Sequence, residues 1–464
     1  MTDVSRTHAR RGVFMVLGFG LLLGSLRLAA QETRPPSPAS FDPVVATNAY
    51  LATVAGEDRA RSNAYFEGGY WLQLWDFLLG VLVNLVLLGT GLSGRMRNLA
   101  ERLVRFRPIQ TFLYWVQYLL LTTVVLLPMT IYEGFLREHR YGLANQTFGP
   151  WMGDQAKELA VGLILGGLAV SALYGVVRRL VRTWALWGAV AAMILLMLSV
   201  LIAPVYIAPL FNKYTRLVDP AVSSSILSLA RAEGINARDV WVFDASRQTK
   251  RVSANVSGFA TTMRISLNDN LLNRCSLAEI EAVMGHEMGH FVLNHVYKLL
   301  LFLAVVIAIG FALVKWGFER VTARKGAAWD IRGVGDTAGL PLALILLSTY
   351  FFVLTPVLNT YTRVVEAEAD LFGINASGQP DGEALADLKL GEYRKLDPSP
   401  LEEVLFFDHP GGRNRILMAM KWKAEHLVEA EANARRAAEG DRQRGWSPES
   451  AQAWGREHEP ARGK

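Results

Sequence analysis

His286-Glu287-Met288-Gly289-His290 is the stretch of this sequence whose residue types and spacing carry the clearest chemistry. Residues four apart lie on one face of an α-helix, so His286 and His290 can direct two imidazoles at a single ion. Glu287, one step round, can reach a water on that ion. H-E-x-x-H is the arrangement for metal-assisted hydrolysis, with the histidines as zinc ligands and the glutamate as general base. A five-residue pattern also arises by chance, but here the context is helical. Leu277, Ile280, Val283 and Met284 fall at helical spacing, Ser276 stands at the N-cap position, and Glu279 three residues on completes a capping box.

A catalytic zinc site takes three protein ligands and keeps a position for water. The single cysteine, Cys275, allows neither an intrachain disulfide nor a thiolate cluster, so the third ligand must be a histidine or a carboxylate. His8, His139, His426 and His458 lie in the wrong segments. His295, five residues after His290, is turned away from the His286 face of a continuous helix and reads as a membrane-interface residue. The run Asn359 to Asp370 is the better source. Glu366 and Asp370 share a face of a predicted helix. Glu366 can bind the ion while Asp370 accepts the second ring N–H of a ligand histidine and fixes its tautomer. Glu368, about 200° round the helix from Glu366, reads as solvated. Taken alone, Glu366 is as readily an exposed helix carboxylate.

The elements that must hold these residues are mostly membrane spans. The chain has 464 residues, 51% of them apolar, and the apolar excess lies in long blocks. Residues 1–30 combine a basic start (Arg6, Arg10, Arg11) with an apolar run, as in a signal peptide or a first span. Residues 31–69 read as an extramembrane linker with a Pro-rich beginning and a short helix. Spans are expected at 70–92, 110–132, 157–177, 183–207, 297–318 and 338–360, each long enough to cross roughly 30 Å of hydrocarbon. Tyr70, Trp71, Trp75, Tyr114 and Trp115 suit an aromatic belt, and Asp76 sits either at the interface or facing a wet interior. Between the spans, 208–296 and 361–425 are water-compatible. Ala221–Gly234 reads as a helix, 239–243 as a strand, and Ser253–Phe259 with Met263–Asn268 as a hairpin. The tail, 426–464, is charged and reads as a frayed helix running into disorder. The fold expected is mainly α, a polytopic helical membrane protein of six or seven spans with a small α+β metal domain in two parts.

Four segments, in this order, resemble the type I CAAX prenyl proteases, integral-membrane zinc metalloendopeptidases. His286 to His295 resembles their H-E-x-G-H-x-x-x-N-H, and Arg363 to Asp370 their R-x-x-E-x-x-A-D. Ala208 to Tyr214 resembles the lead into their metal domain, and His409-Pro410 with Arg415-Ile416 their H-P-P-x-x-x-R segment, Gly411 replacing the second Pro. The resemblance implies one Zn²⁺ held by His286, His290 and Glu366, with Glu287 as base and Asp370 beside the ligands. It implies His409 as the group facing the oxyanion, with Arg415 nearby among the substrate contacts. The family's substrate-binding edge strand carries N-A-x-x-x-G. Here the aligned run is Ser253-Ala254-Asn255-Val256-Ser257-Gly258, so Ser253, Ala254 and Asn255 are the substrate-strand candidates. Peptide or protein substrates, membrane-bound or lipidated, are implied.

Arginines cluster at the ends of apolar blocks, which suits membrane topology rather than nucleic acid, and the net charge is a modest +6. Arg95, Arg97, Arg102, Arg105 and Arg107, then Arg178, Arg179 and Arg182, then the 319–337 loop, all fall on one side of a consistent threading. As the cytoplasmic side of a cell (inner) membrane, that leaves the metal domain outside the cytoplasm; the family resemblance implies the reverse. The start of the chain looks bacterial, favouring processing or quality control of membrane proteins. A non-catalytic membrane scaffold is the alternative, but it predicts a lost base or ligand, and all four residues are present. A transporter would need paired broken spans.

Overall fold

The computed structural model describes residues 41–258 and 263–457. The expected signal peptide or first span, the hairpin tip and the last seven residues lie outside the described residues. Four long apolar helices come first: α1 (Gly56–Gly89), α2 (Arg107–Arg140), α3 (Phe148–Arg179) and α4 (Trp184–Phe211). A 34-residue helix is about 51 Å long, against a hydrocarbon core of about 30 Å, so these helices extend past the membrane at their ends. That is why α1 begins at Gly56 rather than near residue 70: its polar first turns continue the helix into water. There Ser62 is buried and its hydroxyl donates to the Arg394 carbonyl at 3.1 Å.

A four-stranded sheet follows, built from β1 (Tyr214–Arg216), β2 (Val240–Phe243), β3 (Ala254–Ser257) and β4 (Arg264–Asn268) in the order β1-β2-β4-β3. β2 and β4 are parallel; β3 and β4 are the expected antiparallel hairpin, with β3 at the sheet edge. Helix α5 (Pro220–Ala232), capped by Asp219, covers the sheet and stops before Gly234, whose φ of +71° suits glycine. Helix α6 (Leu277–Val292) carries the H-E-x-x-H residues, and both halves of its Ser276/Glu279 capping box are made. Its apolar stripe, Ile280, Met284 and Met288, closes a core with Val222, Ile226, Ile265 and Leu267.

Two further spans are α7 (His295–Lys325) and α8 (Leu340–Ser377), which makes six membrane-capable helices among the described residues. The loops 90–106, 180–183 and 326–336 gather at one end of the molecule. Arg97 donates to Asp336 at 2.6 Å and Arg178 to the Gly335 carbonyl at 2.8 Å. The sheet and α6 lie at the other end, with α9 (Pro380–Leu390) and α10 (Gly412–Glu425).

The tail differs from expectation. Leu427–Gln443 forms an ordered helix, α11, followed by a further helix at Pro448–Glu457. Its low apolar content misleads because the face that packs is made of small residues. Ala430, Ala437 and Gly440 are buried, and Asp441 accepts the Leu277 backbone N–H at 2.9 Å. The tail thus holds the start of α6.

Candidate metal centre

The backbones of helices α6 and α8 approach closely at two glycines. A Cβ on Gly373 would lie 2.7 Å from the His286 backbone nitrogen, and one on Gly285 would lie 2.8 Å from the Gly373 carbonyl oxygen. Two turns before Gly373 on α8, Glu366 arrives beside the histidines. His286 Nε2 is 3.1 Å from His290 Nε2 and 3.2 Å from Glu366 Oε2, while His290 Nε2 is 3.5 Å from Glu366 Oε1. The three residues offer ligand atoms all within 4.8 Å of one another.

The hydrogen bonds behind the rings define what those atoms present. Asp370 accepts from His286 Nδ1 at 2.8 Å, so that nitrogen carries the proton and Nε2 faces the site as a lone pair. His290 Nδ1 lies 2.9 Å from His295 Nδ1, and His295 Nε2 lies 3.1 Å from a Glu368 oxygen. A carboxylate only accepts, so neutral His295 donates through Nε2 and accepts through Nδ1. His290 therefore donates through Nδ1 and also aims a lone pair inward. Two lone pairs and a carboxylate cannot bond to one another, and Glu366 Oε2 is buried with no hydrogen-bond donor of its own. A divalent cation fits this donor set. Glu287, between the two histidines in sequence, has its carboxyl raised above its ordinary range by burial, with the two imidazoles opposing.

Sequence spacing misplaced His295. His295 is 3% exposed and lies behind His290 rather than turned away from it. The helix is not continuous: α6 stops at Val292, Asn294 takes a left-handed φ of 60°, and α7 restarts at His295, turning that ring back. Asn before a second helix was the available signal, since asparagine tolerates this conformation. Glu368 is about half exposed but is paired with His295 and with Lys298 at 2.8 Å.

His409 reaches the same site on the loop after a short helix, Pro400–Phe406. Its Nε2 is 3.2 Å from Glu366 Oε2 and its Nδ1 is 2.7 Å from Asp408 Oδ1. Arg363 on α8 fixes this loop by donating to the Glu403 and Phe407 carbonyls at 2.6 and 2.7 Å. Arg415, expected among the substrate contacts, is engaged instead by buried carboxylates. It is 8% exposed and lies behind the metal ligands, donating to both Asp370 oxygens at 2.8 and 2.6 Å and pairing with Asp387 at 2.6 Å and Glu383 at 3.2 Å. The i, i+4 pair Glu383 and Asp387 on α9 demands a buried partner, and Arg415 on α10 supplies it. Burial holds both carboxyls above their ordinary range, with Arg415 opposing.

The edge strand β3 lies against α6. Ala254 points into the core, so only its backbone can meet a ligand, whereas Ser253 is exposed and Asn255 half-buried. Two residues before Ser253, Arg251 lines a cavity of about 900 Å³ with Tyr65, Asp76, Glu133, Glu138 and Asp154. Asp76 therefore faces a polar interior.

With this geometry in hand, known proteins align along most of the chain. The model of the CAAX prenyl protease N-terminal region, described by five membrane helices, matches residues 31–213, and that of peptidase family M48 matches residues 216–423. A Bacillus subtilis (strain 168) protein, "Uncharacterized metalloprotease YhfN", is 31% identical over 351 residues, covering 74% of this chain and 82% of that protein. The chain belongs to the CAAX prenyl protease family. An Oryza sativa CAAX prenyl protease 1 homolog is 30% identical over 292 residues, 61% of this chain and 67% of its own. The crystal structure of S. mikatae Ste24p shares the fold, with a TM-score of 0.67 at 21% identity over 81% of this chain and 94% of that one. As a member of this family the chain is a multi-pass membrane metalloprotease, a hydrolase of peptide bonds.

Proposed function

We propose that this CAAX prenyl protease family member is a zinc endopeptidase in which His286, His290 and Glu366 hold one Zn²⁺ and Glu287 is the general base. The observation that carries the reading is the convergence of two proton-free imidazole nitrogens and a carboxylate at one point. Bound zinc would supply Lewis acidity to a water and to the scissile carbonyl. Glu287 takes the proton of the attacking water and returns it to the leaving amine. His409, held by Asp408, faces the developing oxyanion. Asp370 and His295 are positioning residues, each fixing the tautomer of one ligand ring.

The free edge of β3 offers backbone groups of Ser253, Ala254 and Asn255 to an extended substrate, a mode that tolerates varied sequence. The cavity at Arg251 extends that groove toward the spans, which suits unfolded, membrane-bound or lipidated chains. Processing or quality control of membrane proteins is the role that follows. The arginine-rich loops at the far end would be cytoplasmic, which places this centre outside the cytoplasm. The buried Cys275 leaves a low background for labelling an engineered cysteine at exposed Glu439. Reaction with an impermeant maleimide on intact cells is expected, and protection until lysis would reverse the orientation.

The deciding experiment couples zinc analysis to cleavage of a fluorogenic peptide, with and without chelator. Glu287→Ala should keep its zinc and lose about 10²- to 10⁴-fold in rate. A zinc-loaded Glu287→Ala protein cleaving at the wild-type rate would refute the mechanism.

A further inference from the structure

At the end of the molecule remote from the metal centre, a cavity of about 300 Å³ opens between the spans, lined by Arg97, Glu101, Arg107, Arg178, Arg332 and Asp336 among others. Four arginines face two carboxylates there, and the pairing is uneven. Arg97 is engaged by Asp336 at 2.6 Å and by the Asp330 carbonyl at 2.7 Å. Arg332 is engaged by both Glu101 oxygens, at 3.1 and 3.0 Å. Among the described residues, Arg178 has no carboxylate partner. Its guanidinium donates to the Gly335 carbonyl and to Thr111 Oγ1, both at 2.8 Å, and to the Arg107 carbonyl at 3.5 Å. The Arg107 side chain makes no hydrogen bond or ion pair at all among the described residues.

Arg107 and Arg178 repel each other in this cavity, and the two carboxylates near enough to offset them, Asp336 and Glu101, are already engaged by Arg97 and Arg332, so an anion would relieve the excess positive charge. The backbone adds to the demand. Arg107 begins α2, and no side chain caps that terminus, so the positive end of a long helix dipole lies at the same place. Exposed apolar groups adjoin the cavity: Val181 lines it and is 56% exposed, and Phe106 and Ile109, which flank Arg107 in sequence, are 62% and 45% exposed. Phe106 and Ile109 lie at the start of α2, and Val181 lies just past the end of α3.

We propose that this cavity binds the phosphodiester headgroup of an anionic phospholipid, with Arg107 and Arg178 on the phosphate and the acyl chains along Val181 and Ile109. Basic pockets between spans recognise anionic headgroups by this chemistry. A free phosphate shares the charge but has nothing to place on the apolar rim, which is why the lipid is the assigned source.

The test uses the full-length protein in nanodiscs of phosphatidylcholine with and without phosphatidylglycerol, read by native mass spectrometry for retained lipid. Wild type should hold one phosphatidylglycerol in preference to phosphatidylcholine. Arg107→Gln, Arg178→Gln together should lose about thirtyfold of that preference, the effect of two arginines near a membrane surface. Arg107→Gln alone, whose side chain holds nothing in the fold, should lose about fivefold. Unchanged peptide cleavage shows that each variant is folded, since neither residue belongs to the metal centre. Equal retention of phosphatidylglycerol by wild type and Arg107→Gln would overturn the proposal. So would equal retention of both lipids by wild type, or displacement of the lipid by millimolar inorganic phosphate.

Discussion

His295 is the residue through which the metal centre can be tested apart from its catalysis. His295→Phe keeps a ring in a site that is 3% exposed but removes the nitrogen that accepts from His290 Nδ1 at 2.9 Å. His290 then has a buried N–H with no acceptor, and its alternative tautomer would aim a proton at the ion. Loss of such an outer partner lowers metal affinity by about 10- to 100-fold, or about 1.4–2.7 kcal/mol. His295→Gln, which offers an amide oxygen in place of the ring nitrogen, should recover part of that loss. Glu368→Gln should cost less, about two- to fivefold, because the Glu368 side chain is 46% exposed and already shared with Lys298. Zinc affinity by chelator competition is the assay, and thermal unfolding of the metal-free proteins is the control. Wild-type affinity in His295→Phe would refute the tautomer argument. A fall in metal-free stability that matched the affinity loss would reduce His295 to a packing residue.

Three further outcomes follow from the same geometry. Gly373→Ala drives a Cβ to 2.7 Å from the His286 nitrogen, and overpacking of about 1–3 kcal/mol should part α6 from α8 and lose bound zinc, measured by metal content after size exclusion. Asp387 has a folded-state pKa raised above 3.8, chiefly by burial. The folded chain therefore binds more protons than the unfolded one, and stability present below the unfolded value is lost as pH rises through the raised one. Asp387→Asn keeps an acceptor for Arg415 and should flatten that loss in thermal unfolding as pH rises above 3.8; a slope identical to wild type would exclude the assignment. Asp441→Ala, which uncaps Leu277, should cost about 1 kcal/mol in chemical denaturation.

The residues that touch the candidate ion were legible because each obeys a local rule. Four-residue spacing places His286 with His290 and Glu366 with Asp370, and six apolar blocks mark six long helices. What was not legible depends on events between elements. A single left-handed residue, Asn294, returns His295 to the site, whereas an unbroken helix would have carried it away. Arg415 follows a motif histidine and so resembles a substrate contact, yet three carboxylates from α8 and α9 draw it behind the ligands. The tail's packing face is alanine and glycine, which composition scores as unstructured.

The first water-compatible part of the chain does not by itself contain a complete candidate metal centre. Residues 208–292 supply the sheet, α6 and two imidazoles, a pair that falls short of the three ligands a catalytic zinc needs. Glu366 and Asp370 come from the far end of α8, and His295 from the first turn of α7, both membrane-capable helices. These two helices hold each other through a Phe302–Tyr361 stack with ring centroids 4.0 Å apart and a Tyr350 hydroxyl donating to the Val306 carbonyl at 2.9 Å. Gly310 and Gly317 on α7 admit Tyr350 and Leu346 of α8 to within contact. Any loosening of that pair displaces one ligand and the hydrogen-bond partners of the other two together. In the proposed centre, metal binding and membrane packing are therefore one equilibrium, because Glu366 reaches α6 only while its span is in place.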